Sequence, residues 1–150
     1  MIIVLQRVKK ASVSVRDKVS GGIGRGVCLL VGIEKGDTEE DARYLARKIA
    51  ELRIFPDSQG KMNRSLLDIQ GEVLAVSQFT LAGSVKKGRR PSFDKAEDPA
   101  LAEPLFLYLV EQIENFGLKV ETGVFAASME VFLINEGPVT FVLQKRSFVS

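Results

Sequence analysis

Between Thr38 and Leu52 the chain carries an apolar stripe that cannot stand alone. Ala42, Leu45, Ala46, Ile49 and Leu52 recur at the spacing of one helical face. Asp37 or Thr38 offers an N-cap, and Glu39, Glu40 and Asp41 crowd the first turn, where the helix dipole favours acids. Arg43, Arg47 and Lys48 fall on other faces, as a solvated surface would. A helix with one apolar stripe must lay it on a second layer of structure. The remaining segments say what that layer is. Strand patterns occupy residues 2–8, 11–16, 27–33, 72–79, 118–122, 129–134 and 139–144. Ser20-Gly21-Gly22-Ile23-Gly24-Arg25-Gly26 gives hairpin-turn chemistry. Residues 56–64 form a turn-rich loop, and Ala82 to Lys95 an exposed one. One further helix is expected over 99–116, with Asp98 as cap, Pro99 in its first position and Gly117 at its end. Pro104 should kink it or delay its start. The expectation is a mixed α/β fold. Two α-helices pack on a mixed, barrel-like β-sheet core, in one domain spanning residues 1–150.

The chain contains no histidine. That excludes a Ser-His-Asp triad, a Cys-His dyad and a His-ligated zinc site. No metal and no cofactor is expected. The single cysteine, Cys28, sits in the apolar run Val27-Cys28-Leu29-Leu30-Val31, as a buried structural thiol would. A formal net charge of +2 gives the whole molecule no strong pull on nucleic acid, so a polyanionic partner needs a local basic patch. No window is apolar for long enough to span a bilayer. The opening residues lack the basic lead-in of a signal peptide. The expected setting is the cytoplasm, with no membrane partner.

Three segments are candidates for chemistry. Ser77-Gln78-Phe79-Thr80-Leu81 ends a strand with two hydroxyls and an amide, and sites collect where strands run into loops. Strand alternation would put Ser77 and Phe79 on one face and Gln78 with Thr80 on the other. Bonding of these groups to nearby backbone is the competing account. Asn135-Glu136-Gly137-Pro138-Val139-Thr140 lies between two apolar strands, and a plain hairpin turn would explain it equally well. Lys86-Lys87-Gly88-Arg89-Arg90, with Phe93 nearby, could hold a phosphate backbone, although most basic loops are merely solvated. The glycines near residue 24 do not make a phosphate loop, because no helix follows them.

Together these segments resemble the D-aminoacyl-tRNA deacylase family. Ser77-Gln78-Phe79-Thr80-Leu81 and Gly137-Pro138-Val139-Thr140 are similar to its two signature motifs. Leu5-Gln6-Arg7-Val8, Gly32-Ile33-Glu34-Lys35-Gly36-Asp37, Leu52-Arg53-Ile54-Phe55, Gly60-Lys61-Met62-Asn63 and Lys87-Gly88-Arg89-Arg90-Pro91-Ser92-Phe93 match it in order along nearly the whole chain. Three positions depart from the pattern. Glu136 stands where the family usually has Asp, Ala126 where it usually has Gly, and Gly83 where it commonly has Asp.

The resemblance implies a single domain of that family's type, acting as a homodimer with active sites at the subunit interface. Ser77, Gln78, Phe79 and Thr80 would line the site from one subunit. Gly137 and Pro138, joined by a cis bond, would enter from the other and hold the α-amino group of the aminoacyl moiety through their carbonyls. Phe125, Ala126 and Met129 would contact the amino acid. Lys86, Lys87, Arg89 and Arg90 would contact the tRNA. The implied reaction is hydrolysis of the ester of D-aminoacyl-tRNA, and of mischarged glycyl-tRNA, in chiral proofreading of translation. Thr80 could act as a nucleophile, although no base stands beside it in the sequence. Alternatively, the ribose 2′-hydroxyl assists water while backbone N–H groups near Phe79 and Thr80 hold the oxyanion. A non-catalytic RNA-binding module and a threonine peptidase are the competing readings. DNA is not an expected partner.

Overall fold

The computed structural model describes residues 1–146. Strand β1 (Ile2–Val15) is the spine of the fold. It pairs antiparallel with β2 (Lys18–Ile23), β3 (Gly26–Gly32) and β8 (Glu130–Gln144). Residues 2–8 and 11–16, expected as two strands, are thus one strand. It bends where its register against β8 shifts, between Gln6 and Lys10. The bend lets one strand feed two cores. Ile3 and Leu5 enter the cluster under the helices, whereas Val8, Ala11 and Val13 enter a second cluster inside the sheet. An extra residue at a bulge reverses which parity of the strand points inward.

The first hairpin turns at Arg16 and Asp17, both with positive φ (51° and 63°), as a two-residue turn matched to strand twist requires. Of the expected turn segment Ser20–Gly26, only Gly24 and Arg25 turn, joining β2 to β3. Gly21 and Gly22 are strand residues of β2. A Cβ on Gly21 would stand 2.7 Å from the Thr122 carbonyl oxygen, so the glycine admits a close neighbour. That neighbour belongs to β7 (Lys119–Thr122), the last strand on the far side of the sheet. The Ser20 hydroxyl donates to the same carbonyl at 3.3 Å. The sheet order β2-β1-β3-β6-β7 therefore nearly closes on itself.

β3 and β6 (Glu72–Ser77) run parallel, as do β6 and β7. Parallel neighbours need a crossover, and helices supply both. The first crossover holds α1 (Glu39–Glu51), a small hairpin of β4 (Phe55–Pro56) and β5 (Met62–Arg64), and the one-turn α2 (Leu66–Ile69). The second holds α3 (Pro99–Glu114). Neither the hairpin nor α2 was expected. Both are too short for a hydrophobic period to develop.

Thr38 caps α1 in a reciprocal box with Asp41, and Ala42, Leu45, Ala46, Ile49 and Ala50 are buried. Asp98 caps α3 through Ala100 N–H at 2.9 Å. Pro104 neither ends this helix nor delays its start. Its ring removes one donor, to the carbonyl of Ala100, and that residue is exposed to water.

In β3 and β6 both parities are buried. Val27, Leu29, Val31, Val73 and Ala75 face the helices, whereas Cys28, Leu74 and Val76 face the interior of the sheet. Burial on both faces explains their continuous apolar runs. These strands pack backbone to backbone at Gly26, where a Cβ would lie 1.8 Å from the Glu72 carbonyl oxygen. No helix among the described residues is long and apolar enough to cross a membrane.

The segments 129–134 and 139–144 form one strand, β8, and both halves pair with β1. Gln6 faces Thr140 and Val8 faces Asn135, so Arg7 alone stands opposite Glu136 to Val139. The surplus residues arch out of the ladder. Asn135 clips the base of the arch, its side-chain amide donating to the carbonyls of Arg7 (2.9 Å) and Val139 (3.1 Å). The expected alternative of a hairpin turn is therefore wrong: the strand continues in the same direction. The Gly137–Pro138 bond is cis.

Candidate active site at the end of the parallel strands

The carboxyl ends of β3 and β6 meet the N-terminus of α3 at one end of the sheet. There β6 stops at Ser77. Gln78 N–H donates to the Val31 carbonyl at 2.7 Å, and the chain then folds into a 3-10 turn over Phe79–Ala82. This changes the expected geometry. Ser77 to Thr80 do not alternate as a strand. Gln78 and Thr80 nevertheless meet, because the turn brings the Gln78 amide to the Thr80 hydroxyl at 2.6 Å. The bond ties two candidate groups to each other. The first N–H groups of such a turn have no intrahelical acceptor. Those of Phe79 and Thr80 have no backbone acceptor among the described residues.

Phe79 is 58% exposed and meets Phe93 edge-on, with centroids 5.3 Å apart. These rings flank a cavity of about 420 Å³. Ser77, Phe125 and Ala126 complete its inner wall, and Lys35, Glu97 and Asp98 stand among its polar lining groups. A smaller cavity of about 150 Å³ adjoins it, sharing Ser77, Phe79 and Ala126, and is lined also by Gln78 and Met129. The structure thus brings Ser77, Gln78, Phe79, Phe125, Ala126 and Met129 together. Lys35, Phe93 and Asp98 line the site but were not among the expected site residues. Lys35 and Phe93 lie in segments that carry the resemblance, which is the signal that could have found them. Asp98 is legible in the sequence only as a helix cap.

Ala126 has φ +62°. This left-handed conformation costs an L-residue about 1–2 kcal/mol. It gives a physical reason for the glycine usual at this position, and it leaves a methyl group against both cavities.

Other expected residues lie apart. Thr80 is exposed and lines neither cavity, and Gly137 and Pro138 are likewise exposed and line neither. The loop bearing Lys86, Lys87, Arg89 and Arg90 is exposed and pinched at its base by paired backbone bonds between Ser84 and Ser92, at 2.7 and 2.8 Å. Lys86 and Lys87 line a separate cleft of about 590 Å³ with Lys95 and Arg146. Cys28 lines neither cavity of the site but is buried in the inner cluster that includes Val76. Burial pushes its thiol up to about 11, so it supplies no thiolate near neutral pH.

A pocket of aromatic and small side chains, flanked by a turn whose first N–H groups lack a backbone acceptor among the described residues and with no imidazole, suits a positioning hydrolase. The sequence comparison agrees. Residues 4–144 match the family model described as D-Tyr-tRNA(Tyr) deacylase, and the chain belongs to that family. A D-aminoacyl-tRNA deacylase of Persephonella marina is 56% identical over 147 residues, covering 98% of this chain and 99% of the relative. One from Halalkalibacterium halodurans is 55% identical, covering 97% of this chain and all of the relative. Among solved structures, one described as a c-Myc DNA unwinding element binding protein superposes with TM-score 0.91 at 40% identity, covering 98% of this chain and 100% of that one. A probable eukaryotic D-amino acid tRNA deacylase shares the fold, with TM-score 0.82 at 20% identity over 95% of this chain and 97% of its own.

Proposed function

We propose that this chain hydrolyses the ester of D-aminoacyl-tRNA, releasing the D-amino acid and tRNA in the cytoplasm. One observation carries the chemistry. The N–H groups of Phe79 and Thr80 point from the start of a short turn with no backbone acceptor of their own among the described residues, beside a cavity bordered by Ser77 and Phe79. Such donors suit the oxyanion of an ester under attack. Water adds to the carbonyl carbon. The bond to the ribose 3′-oxygen then breaks, and that oxygen takes a proton. The ribose 2′-hydroxyl is the group placed to relay it, since no histidine exists. The Thr80 hydroxyl accepts from the Gln78 amide and orients rather than attacks. Positioning of this kind can supply roughly 7–11 kcal/mol.

The site requires a second copy. Gly137 and Pro138 arch out of β8 into solvent, and Phe132, Ile134, Phe141 and Val142 are exposed apolar residues along the same strand. β8 pairs only with β1 among the described strands. Burial of this exposed strand in an isologous dimer would carry each arch toward the partner's pocket. The carbonyls of Gly137 and Pro138 would then hold the substrate's ammonium group and read its α-centre, so that an L side chain meets the wall. Glycine has no side chain to exclude, so glycyl-tRNA is a further substrate. Lys86, Lys87, Arg89 and Arg90 contact the acceptor-end phosphates.

A binding module without catalysis would use that loop, yet leave the pocket and the unpaired N–H groups of the adjoining turn without a use. The test is release of D-tyrosine and L-tyrosine from charged tRNA, with duplex DNA as competitor. Selective D-release that DNA does not suppress is expected. Equal rates on both enantiomers, or no release with retained nucleic-acid binding, would refute the reading.

A further inference from the structure

The basic loop does not end the positive charge on its side of the molecule. Lys86 and Lys87 share their cleft with Lys95 and Arg146. Arg146 also reaches Glu34 at 2.8 Å. The preceding residue, Lys145, places its ammonium 5.1 Å from the centre of the Tyr44 ring, on the outer side of α1. Lys48 approaches the same ring at 5.9 Å. Tyr44, Arg47, Lys48 and Arg53 then line a shallow groove of about 390 Å³ with Glu51 and Leu52. Arg53 is held there, donating to both the carbonyl and the side-chain oxygen of Asn63, at 2.9 and 3.0 Å.

Two features separate this flank from an ordinary solvated face. Arg47, Lys48, Arg53 and Lys145 form no ion pair with a carboxylate among the described residues, whereas Arg43 on the same helix pairs with Glu39. In addition, Tyr44 is 47% exposed. Like charges repel, yet two lysines converge on one ring, which a cation–π attraction permits without neutralising either. The charge stays available to an outside anion. It is strung across two clefts rather than focused on one point. That suits a chain of phosphates, not a single small anion.

Building on the function proposed above, we propose that the flank from Lys95 and Arg146 through Lys145 and Tyr44 to Arg47 and Arg53 is a second RNA-backbone track. It would extend tRNA binding beyond the basic loop to the outer face of α1. Tyr44 holds the lysines outward and offers an aromatic edge to ribose. The flank's cations are exposed, save the half-buried Lys145, and its partner is polyanionic, so affinity must fall with salt in proportion to the phosphates touched.

The test uses the full chain. Binding of uncharged tRNA is measured over a salt series for the parent and for a variant carrying Arg47→Ala, Lys48→Ala, Arg53→Ala and Lys145→Ala. The slope of log K against log salt should fall by about 0.9 for each phosphate that the variant no longer neutralises. A double variant, Lys48→Gln with Lys145→Gln, should give a smaller fall, and it keeps the test valid if the larger variant unfolds. An unchanged slope in a folded variant overturns the proposal. So does a defect confined to binding of phosphatidylserine vesicles, which would assign the flank to a membrane surface. Hydrolysis of the D-tyrosyl ester of adenosine by the parent is run alongside. If that fails while the tRNA slope still responds, the deacylase reading falls and the RNA track stands.

Discussion

Ser77–Leu81 and Asn135–Thr140 carry the two motifs of this chain, and they stand in opposite surroundings. The first rests on the most buried part of the molecule. Its strand is parallel to β3, and its turn opens into cavities lined by residues of the same chain. The second arches from a strand paired on only one side, with Gly137 and Pro138 exposed. One region is a half-site already enclosed. The other is a projection with its tip in solvent, lining neither cavity. Under the proposed function, chemistry would rest on the enclosed platform and stereochemical choice on association.

Damage to the platform should cost most. Gly26→Ala would drive a Cβ into the Glu72 carbonyl and force β3 from β6. We expect about 3 kcal/mol of lost stability, at the upper end of overpacking costs, read from denaturant unfolding. A loss below about 0.5 kcal/mol would mean the platform is compliant. Next comes the projecting region. Phe132→Glu with Phe141→Glu should leave the fold intact, yield monomers by sedimentation and lower D-aminoacyl-tRNA hydrolysis about 100-fold, as misplaced groups do. A monomer with full activity would erase the contrast between the two regions.

Smaller effects sharpen the same contrast. Thr80→Ala removes the acceptor of the Gln78 amide, and the rate should fall about tenfold, equivalent to about 1.4 kcal/mol. A trapped acyl-threonine in the parent would contradict the positioning role. Asn135→Ala removes the clip beneath the arch and should lower stability by about 1 kcal/mol, while raising KM more than it lowers kcat. If KM is unmoved, the arch does not touch the substrate. Ala126→Gly relieves the left-handed backbone. It should raise the unfolding free energy by about 0.5–1 kcal/mol, net of the extra backbone entropy of glycine.

Sequence alone settled whatever depends on local chemistry or on a long period. The capped helix on Thr38, the helix begun by Asp98-Pro99, the strands β3 and β6, and the absence of imidazole all follow from residues close together in the chain. The motif residues Ser77 to Phe79, with Phe125, Ala126 and Met129, were likewise nameable before their meeting place was known. Tertiary structure decided the rest. Strand alternation was the wrong rule for Gln78 and Thr80, because the chain must leave the sheet at Ser77 and does so through a 3-10 turn. Gly21 looks like a turn residue until β7 is found lying against it, and Gly22 until its pairing with β1 is seen. Asn135–Thr140 has a turn's composition, but β1 runs past it and pairs with both sides, so the surplus becomes an arch in a continuing strand. Each of these outcomes was set by a partner distant in sequence, and local composition holds no record of such a partner.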